Sequence, residues 1–403
     1  METELGRIPS HWEVGSFEED LKIQGRIGWK GYKTSDLVPI GPYVIGGGEI
    51  KSNIFLQLEH AQRISREKYN ESPEIMLKEG DVLLVTRGNL GEVGYYHGIY
   101  GEGTINPSVI ILNNFNGDSK FLFYYLISKQ GKANVLSLSS GSSVPAIYQA
   151  DVYTLKYPKP LIDEQTKISK IAFSIDLKID LLHRQNATLE KMAETLFRQW
   201  FVEEAKEEWK NGKVSDLIKI LSGYAFKSSS FVESGKYRLI TIKGVQDGYL
   251  ELNNADKIEE VPDRMPDFCK LEIGDIILSL TGNVGRCCLV DTTDLLLNQR
   301  VAKLHPIYER DRAYTYFLFR QPQIKQLLEE MGKGTAQPNL SPIETSNMEL
   351  IIPDEEKLIE FSVMATPLLN KMLFNKKSIQ TLTALRDTLL PKLMSGEVRV
   401  VQD

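Results

Sequence analysis

The sequence predicts an α+β protein in which two homologous mixed-sheet domains are separated and joined by two long helices. Three observations indicate this: one motif occurs twice, short β-rich runs surround each copy, and two long stretches have helical periodicity. We place the first domain at 1–160, the central helix at 161–211, the second domain at 212–352 and the C-terminal helix at 353–403.

The duplicated motif indicates that the two domains are related. Residues 79–94 read EGDVLLVTRGNLGEVG, and residues 272–287 read EIGDIILSLTGNVGRC. The Gly-Asp pair and the Gly-Asn-x-Gly segment recur at a constant offset. Glycine and asparagine tolerate positive φ, so the simplest interpretation of each Gly-Asn segment is a hairpin turn.

Each copy of the motif lies among short β-rich runs and one helical stretch. The runs are at 82–85, 108–112, 276–280 and 301–304, and the helical stretches are at 119–131 and 311–331. Glycine, asparagine and proline turns separate them, which favours antiparallel or mixed sheets. Cys287 and Cys288 are expected in a strand, and Gly46-Gly47-Gly48 is expected in a turn.

The segment after the first domain has the pattern of one long amphipathic helix. From Asp163 to about Glu208 it contains no glycine or proline, and apolar residues recur every seventh position. The acidic residues at its start suit the positive end of a helix. Asn211-Gly212 is the expected end, because glycine commonly follows the last helical residue.

The C-terminal segment repeats this design after Pro353, with an apolar seam in steps of three and four. Pro367 is expected to kink this helix or delay its start. Asn375 occupies a seam position, where a polar residue costs stability but fixes the register. Gly396 is expected to close the helix.

The two long helices are expected to pair with one another as an antiparallel coiled coil, related by a pseudo-twofold axis. Each has a narrow apolar face, so neither is stable alone in water. The alternative is that each helix packs separately on its own domain.

Composition limits the function. The net charge of −6 argues against indiscriminate nucleic-acid binding, which usually needs a basic domain. No apolar run is long enough to span a membrane, and the N-terminus has no signal region, so a cytoplasmic protein is expected. The three cysteines and five histidines lack the spacing of a metal site.

Motifs of catalysis are also missing from the sequence. There is no phosphate-binding G-x-x-x-x-G-K-[ST] segment. Asn106-Pro107-Ser108 lacks the second proline and the aromatic residue of the amino-methyltransferase motif. We therefore expect no catalytic residue, no metal and no cofactor in this chain.

The chain resembles the specificity subunit of type I restriction-modification enzymes over essentially its whole length. The resemblance is carried by WEV at 12–14, by the hairpins at 80–91 and 274–285, and by the helix ends TLFRQWF at 195–201 and TLLPKLMSGEV at 388–398. It implies two target-recognition domains, each reading one half of a split site in double-stranded DNA.

The resemblance also implies partners. The helices would dock two modification (methyltransferase) subunits, which bring S-adenosylmethionine, and restriction/translocase subunits can join for cleavage. We expect docking at seam positions near the helix ends: Leu189, Met192, Leu196, Trp200, Leu382, Leu385, Leu389 and Leu393.

Basic, amide and hydroxyl residues in loop-like stretches are the candidates for DNA contact, because arginine pairs with guanine and asparagine with adenine. In the first domain they are Lys30, Lys33, Arg63, Arg66, Lys68, Arg87, Asn89, Ser142 and Ser143. In the second they are Lys227, Lys243, Arg264, Asn283, Gln299, Arg300, Lys333 and Gln337.

Interpretations without DNA contact remain open at this point. Each candidate taken singly can be a solvated surface residue, and the Gly-Asn segments can be turns that touch no DNA. The alternative functions are a protein-recruiting scaffold without DNA reading and the specificity subunit of a system that only methylates.

Overall fold

The computed structural model describes residues 1–25, 31–140, 145–332 and 338–400, and the chain forms two compact units. One unit comprises Met1–Asp180 with Thr381–Asp403, and the other comprises Leu181–Gln380. Each unit contains one α+β domain and a segment of each long helix, so the predicted fold class is confirmed. Among the described residues, no helix is long and apolar enough to cross a bilayer.

In its described residues, the first domain has ten strands and five short α-helices. The strands are β1 Glu2–Thr3, β2 Gly6–Arg7, β3 Glu13–Ser16, β4 Lys22–Gln24, β5 Tyr43–Ile45, β6 Val82–Val85, β7 Val93–Tyr95, β8 Gly103–Ile105, β9 Val109–Asn113 and β10 Lys156–Lys159. The helices are α1 Phe17–Asp20, α2 Arg66–Asn70, α3 Ser119–Ile127, α4 Lys129–Ser137 and α5 Gln149–Tyr153. The first long helix, α6 Ile162–Arg198, follows.

The second domain has a similar composition, and the second long helix follows it. Its strands are β11 Lys210–Lys213, β12 Ile218–Ser222, β13 Tyr237–Ile240, β14 Lys257–Ile258, β15 Lys270–Leu271, β16 Ile276–Ser279, β17 Cys287–Leu289, β18 Leu295–Leu297, β19 Val301–Pro306 and β20 Glu349–Ile352. Its helices are α7 Arg312–Phe319, α8 Pro322–Met331 and α9 Pro342–Ser346, and the long helix is α10 Glu355–Met394.

The two domains share one sheet topology. The first has an antiparallel sheet in the order β4-β9-β6-β7, and the second has the order β12-β19-β16-β17. Each domain also has a parallel strand pair, β5 with β8 and β13 with β18. The duplicated motif forms the β6–β7 and β16–β17 hairpins, and Cys287 and Cys288 lie in a strand as predicted.

Each domain closes on itself where the following long helix begins. β3 pairs with β10 and β11 pairs with β20, both antiparallel. The Trp12 indole donates to Glu164 Oε2 at 2.9 Å, and the Trp209 indole donates to Asp354 Oδ2 at 3.0 Å. The same hydrogen bond, from an indole to a carboxylate at the start of a long helix, therefore occurs in both domains.

Both long helices belong to the core of both units. In the first unit, Ile168 and Ala172 of α6 join Leu390 and Met394 of α10 in the core of the first domain. In the second unit, α6 contributes Ala193 and Phe197, and α10 contributes residues from Leu358 to Leu373. The alternative that each helix packs only on its own domain is therefore wrong.

The helix segments run antiparallel. In the second unit, the rings of Phe197 and Phe361 lie 5.7 Å apart, and farther along the pair Asn375 Nδ2 donates to Asn186 Oδ1 at 2.8 Å. Asn375 is fully buried and also bonds Gln185 at 2.9 Å, so it occupies the predicted seam position. In the first unit, Arg386 Nη1 bonds Asp176 Oδ1 at 2.8 Å.

One predicted helix end is wrong. After Arg198 the chain makes a π-helical turn at Gln199–Glu203 and leaves the helix, so Asn211-Gly212 lies in β11 and pairs with β20. Of the two effects expected of Pro367, a kink or a delayed start, the delay does not occur, because α10 already begins at Glu355. The carbonyl that loses its partner belongs to the exposed Val363, where water can replace the missing hydrogen bond.

Each predicted helical stretch within a domain is two helices. Ser128 ends α3, and its hydroxyl accepts the Gly131 N–H at the start of α4. In the second domain Pro322 occupies the first turn of α8, a position where proline is favoured because its missing N–H has no partner there anyway.

We expect Arg386→Met to destabilise the first unit by about 2–4 kcal/mol, because it leaves a buried carboxylate without its cation. Asp176 is buried and its remaining side-chain partner is the Tyr124 hydroxyl at 2.8 Å. Arg198→Met is the matched control, since Arg198 and Glu203 are both exposed. Its expected cost is below about 1 kcal/mol. Chemical denaturation measures both, and equal costs would contradict the prediction.

The two hairpins carry an equivalent aspartate, which has different neighbours in each domain. Asp81 and Asp275 both accept a backbone N–H of their turn, from Lys78 at 2.7 Å and from Glu272 at 2.8 Å. Asp275 also has an ion pair with Lys303 at 2.7 Å. In the first sheet the position of Lys303 is occupied by Ile111, and burial raises the pKa of Asp81 to about 6.

This pKa predicts a loss of stability as the pH rises. Between about pH 4 and pH 6 the folded chain holds a proton on Asp81 that the unfolded chain releases, so unfolding becomes easier by about 1–3 kcal/mol across that range. Asp81→Asn keeps the hydrogen-bond acceptor and should flatten this part of the pH profile of the unfolding free energy. Asp275→Asn should instead lower stability at neutral pH, because it removes the partner of Lys303. An unchanged profile for Asp81→Asn would refute the prediction.

Candidate nucleic-acid interface

Polar loops of the first domain meet beyond the carboxyl ends of the parallel strands β5 and β8. The segments are Gly46–Gly48, Thr86–Asn89 and Asn106–Ser108, which we call the first polar face. Asn89 Nδ2 donates to Gly47 O at 3.1 Å, and Thr86 N donates to Ser108 O at 2.8 Å. The Asn106 carboxamide accepts the Ser108 N–H at 2.9 Å. Arg87 and Asn89 are therefore held on a braced loop with their side chains exposed.

Glycine is required where these segments approach one another. A Cβ on Gly46 would lie 2.3 Å from Asn106 Nδ2, and one on Gly47 would lie 3.1 Å from Val85 Cγ1. Gly88 and Gly91 have positive φ, as do Gly282 and Gly285 in the second hairpin. The hairpin turns predicted from the duplicated motif are thus confirmed.

The second domain brings together the equivalent segments, which we call the second polar face: Thr241–Gly244, Thr281–Asn283, Asn298–Arg300 and Pro338–Pro342. Thr281 Oγ1 donates to Asn339 Oδ1 at 2.7 Å, and Gly282 N donates to Pro338 O at 3.0 Å. An open groove of about 580 Å³ runs along this face. Its lining is Ser222, Leu280, Thr281, Gln299, Arg300, Asn339, Leu340, Ser341 and Pro342.

Each polar face carries one exposed arginine whose side chain has no hydrogen bond or ion pair to a described residue. They are Arg87 on the first polar face and Arg300 on the second. Lys243 is exposed on the second face, and Asn283 and Gln299 are exposed beside the arginines. A guanidinium held on a rigid turn without an internal partner is suited to a base edge or a phosphate, while neighbouring amides can add bidentate contacts.

Three predicted contacts of the first domain lie away from Arg87 and Asn89. Arg63 stacks on Tyr43 at 3.7 Å, Arg66 has an ion pair with Glu102, and Lys68 contacts Glu71 at 2.6 Å. Tyr43 and Gly103 are the first residues of β5 and β8. This group therefore lies at the amino ends of the parallel strands, whereas the first polar face lies beyond their carboxyl ends. Carboxylates match the charges of Arg66 and Lys68, and Arg63 Nη1 donates to Gly41 O at 3.0 Å, which favours a structural role for all three.

The remaining predicted residues are placed singly. Lys33 and Lys227 are exposed in the segments that follow β4 and β12, and Arg264 is exposed between β14 and β15. None of these three forms a hydrogen bond or an ion pair with a described residue of either face. Lys30, Ser142, Ser143, Lys333 and Gln337 lie outside the described residues.

Several residues of the two faces were missed by the sequence analysis. Thr281 and Asn339 meet across the second face, and Ser222 and Ser341 line its groove. Asn106 and Ser108 occupy the matching part of the first face. The signal that points to this last pair is the repeat itself, because Asn106-Pro107-Ser108 aligns with Asn298-Gln299-Arg300.

The predicted docking residues differ in exposure. Met192 and Leu385 are 55% and 45% exposed. Leu189, Leu196, Trp200, Leu382 and Leu389 are half-buried. Leu393 is 3% exposed and packs in the core of the first unit, which sets it apart from the other seven.

Met192 lies in a shallow groove along one face of α6. Its neighbours there include Thr188, Lys191 and Thr195. In the repeat Met192 corresponds to Leu385, so the most exposed apolar residue of this set recurs at the equivalent position of each long helix. Within the described ranges, no group of histidine, cysteine or acidic side chains is arranged to hold a metal ion.

Comparison with known proteins gives one consistent result. The model of the type I restriction modification DNA specificity domain matches residues 20–191 and 206–384. The chain is 24% identical to the type I restriction enzyme MjaIX specificity subunit of Methanocaldococcus jannaschii, over 99% of this chain and 96% of that protein. It is 24% identical to the HindI specificity subunit of Haemophilus influenzae over 69% and 77%, respectively.

A solved structure shares the fold. The crystal structure of a type I restriction-modification S subunit from M. genitalium superposes with a TM-score of 0.64 at 17% identity, covering 96% of each chain.

Proposed function

The chain belongs to the specificity subunits of type I restriction-modification systems, and we propose that each of its polar faces reads one half of a bipartite site in double-stranded DNA. Such subunits are non-catalytic components of these systems. The observation that supports the assignment of the faces is the repeated placement of an unpaired arginine beside exposed amides, Arg87 with Asn89 and Arg300 with Gln299.

The chemistry of the two faces suits base reading in the major groove. Arginine is the usual bidentate partner of guanine, and asparagine or glutamine is the usual partner of adenine. Loops that are braced by hydrogen bonds lose little conformational entropy on binding, so they discriminate better than free loops. The net charge of −6 is compatible with this role because phosphate contacts need only a local cluster of cations.

We propose that the exposed seam positions of the long helices dock two modification subunits. Met192 and Leu385, with the half-buried Leu189 and Leu382, occupy matching positions of α6 and α10. Two equivalent surfaces suit two copies of one partner. The modification subunits would hold S-adenosylmethionine and flip the target base out of the duplex. Restriction subunits would join the same assembly, in the cytoplasm, where the DNA lies.

We propose further that the paired helices set the length of the unread spacer between the two half-sites. Half-sites read from one side of a duplex lie about one helical turn, roughly 10 bp, apart. A helix of fixed length can set this separation, since each residue adds about 1.5 Å.

The face assignment is tested by two matched alanine variants of the chain, each assembled with its modification subunits. Arg87→Ala should relax the bases read in one half-site, and Arg300→Ala should relax the other, each by about 1–3 kcal/mol of discrimination. Arg66→Ala is the control, because Arg66 already has an ion pair with Glu102. Sequencing of methylated motifs and binding to duplexes with single base changes measure the effect.

Two outcomes would count against the assignment. If Arg87→Ala and Arg300→Ala both leave the motif unchanged, the faces are not the readers. If either variant relaxes both halves equally, the two domains do not read separately.

The proposed role of the helices in setting the spacer length is tested by inserting four residues into each long helix. The matched positions are after Asp180 in α6 and after Gln380 in α10. The insertion adds roughly 6 Å and turns the helix by about 40° beyond a full turn. About two base pairs of DNA have the same length and turn by about 70°, so the phase is nearly kept. The unread spacer should lengthen by one or two base pairs.

The bases within each half-site should stay the same in that variant. A control insertion of four residues in the irregular connection at 204–209 does not lengthen the helix, and it should leave the spacer unchanged. A fixed spacer in the helix variant would show that the helices do not set the distance.

A further inference from the structure

A set of charged side chains connects a loop of the second polar face to the long helix α6. We call Glu190, Glu194, Asp247, Arg320 and Lys325 the Arg320 network. Arg320 Nη2 lies 3.2 Å from Glu190 Oε1 and 3.5 Å from Glu194 Oε1, while its Nη1 lies 3.7 Å from Asp247 Oδ1. Lys325 also has an ion pair with Asp247. One guanidinium therefore joins two carboxylates of the helix to one carboxylate of the loop.

The loop that carries Asp247 leads directly into the second polar face. Gln246 Nε2 donates to Lys243 O at 2.9 Å, and Gln246 Oε1 accepts from Arg286. Arg286 belongs to the same hairpin as Asn283. Asp247 is thus one residue from the side chain that joins the Lys243 loop to the Asn283 hairpin.

The side chain of Arg320 is largely shielded from solvent, which strengthens its ion pairs. Its side chain is 16% exposed, so solvent screens its ion pairs less than those of a surface arginine. Glu190 and Glu194 are one turn apart on α6, where like charges repel each other without a cation between them. The fully buried Tyr316 donates to Glu190 Oε1 at 3.1 Å and fixes that carboxylate. The planar fork of arginine can contact several carboxylates at once, which the single ammonium of lysine does only in part.

The second long helix, α10, also contacts the loop that carries Asp247. Lys376 Nζ of α10 donates to Gly248 O at 3.1 Å and lies 3.5 Å from Asp291 Oδ2. The peptide after Asp247 is therefore held from α10, and the side chain of Asp247 is held through Arg320 from α6.

The first domain is built differently at this point. Ser128 occupies the position of Arg320, since both residues follow the last residue of the equivalent helices α3 and α7. The Ser128 hydroxyl donates to Tyr125 O at 2.6 Å within the domain. In the described part of the first domain, the Gly46–Gly48 turn is held by Asn89 and Glu49, and no ion pair connects it to a long helix.

We propose that Arg320 is a positioning residue for DNA reading by the second domain, which sets the Lys243 loop and the Asn283 hairpin relative to α6. The inference rests on the proposed function of the second polar face. Its consequence is an asymmetry: reading of the second half-site depends on the state of the long helices, and reading of the first half-site does not depend on them through such a link.

Arg320→Met and Asp247→Asn test this in the chain assembled with its modification subunits. Affinity is measured for duplexes that carry the cognate site, a base change in the first half-site, or a base change in the second. Both variants should lower the discrimination at the second half-site by about tenfold and leave it unchanged at the first. Arg320→Lys should recover part of the loss.

Arg386→Met is the matched control, because it opens a similarly buried ion pair of the long helices in the other unit. It should lower the unfolding midpoint without changing discrimination at the second half-site. An equal loss at both half-sites in Arg320→Met, or an unaffected Asp247→Asn, would overturn the inference and leave Arg320 a purely structural residue. Failure of the proposed function is distinguishable, since it would appear as an unchanged motif in Arg300→Ala.

Discussion

Each domain depends on being closed where a long helix starts. The pairing of β3 with β10, and of β11 with β20, returns the chain to the place where it entered the domain. The indoles of Trp12 and Trp209 then fix the first turn of the helix that follows. Because the domain and the helix share this joint, the polar loops of each domain are positioned relative to a rigid element instead of a free linker.

The long helices are structural parts of both units, which explains why their seams are continuous. A helix with a narrow apolar face gains its stability from tertiary packing. Here α6 buries Ile168 in one unit and Phe197 in the other, and α10 buries Leu390 and Phe361 in the same way. The buried Asn375 adds a polar contact that a shifted pairing would break, so it favours one register.

The sequence predicted those features that repeat or have a clear period. The hairpins, the two domains and both long helices follow from the duplicated motif and from apolar spacing. The end of α6 was missed because Asn211-Gly212 has the composition of a helix stop, while pairing with β20 takes those residues into a strand. The start of α10 was not delayed by Pro367. The free-energy cost of a proline inside a helix depends on whether the carbonyl that loses its hydrogen bond reaches water, which a sequence does not reveal.

The candidate site was predictable in part. Arg87, Asn89, Asn283 and Arg300 were found because they lie in or beside repeated turns. Lys68 pairs with Glu71 at a spacing of three, which the sequence shows, but Glu102 lies 36 residues from Arg66 and only the fold brings those two together. Thr281 and Asn339 are far apart in sequence, and only the fold brings them to one face.

The unequal hairpins limit how genetic material can pass between the two halves of this gene. Asp275 has an ion pair with Lys303 from a neighbouring strand, whereas Ile111 occupies the equivalent strand position in the first domain and Asp81 has no such cation there. A crossover between these strands that transferred β19 without its hairpin, or the reverse, would bury a carboxylate with the wrong neighbour. Recombination that preserves a folded protein must therefore move the whole sheet, and the domain becomes the smallest heritable unit of exchange.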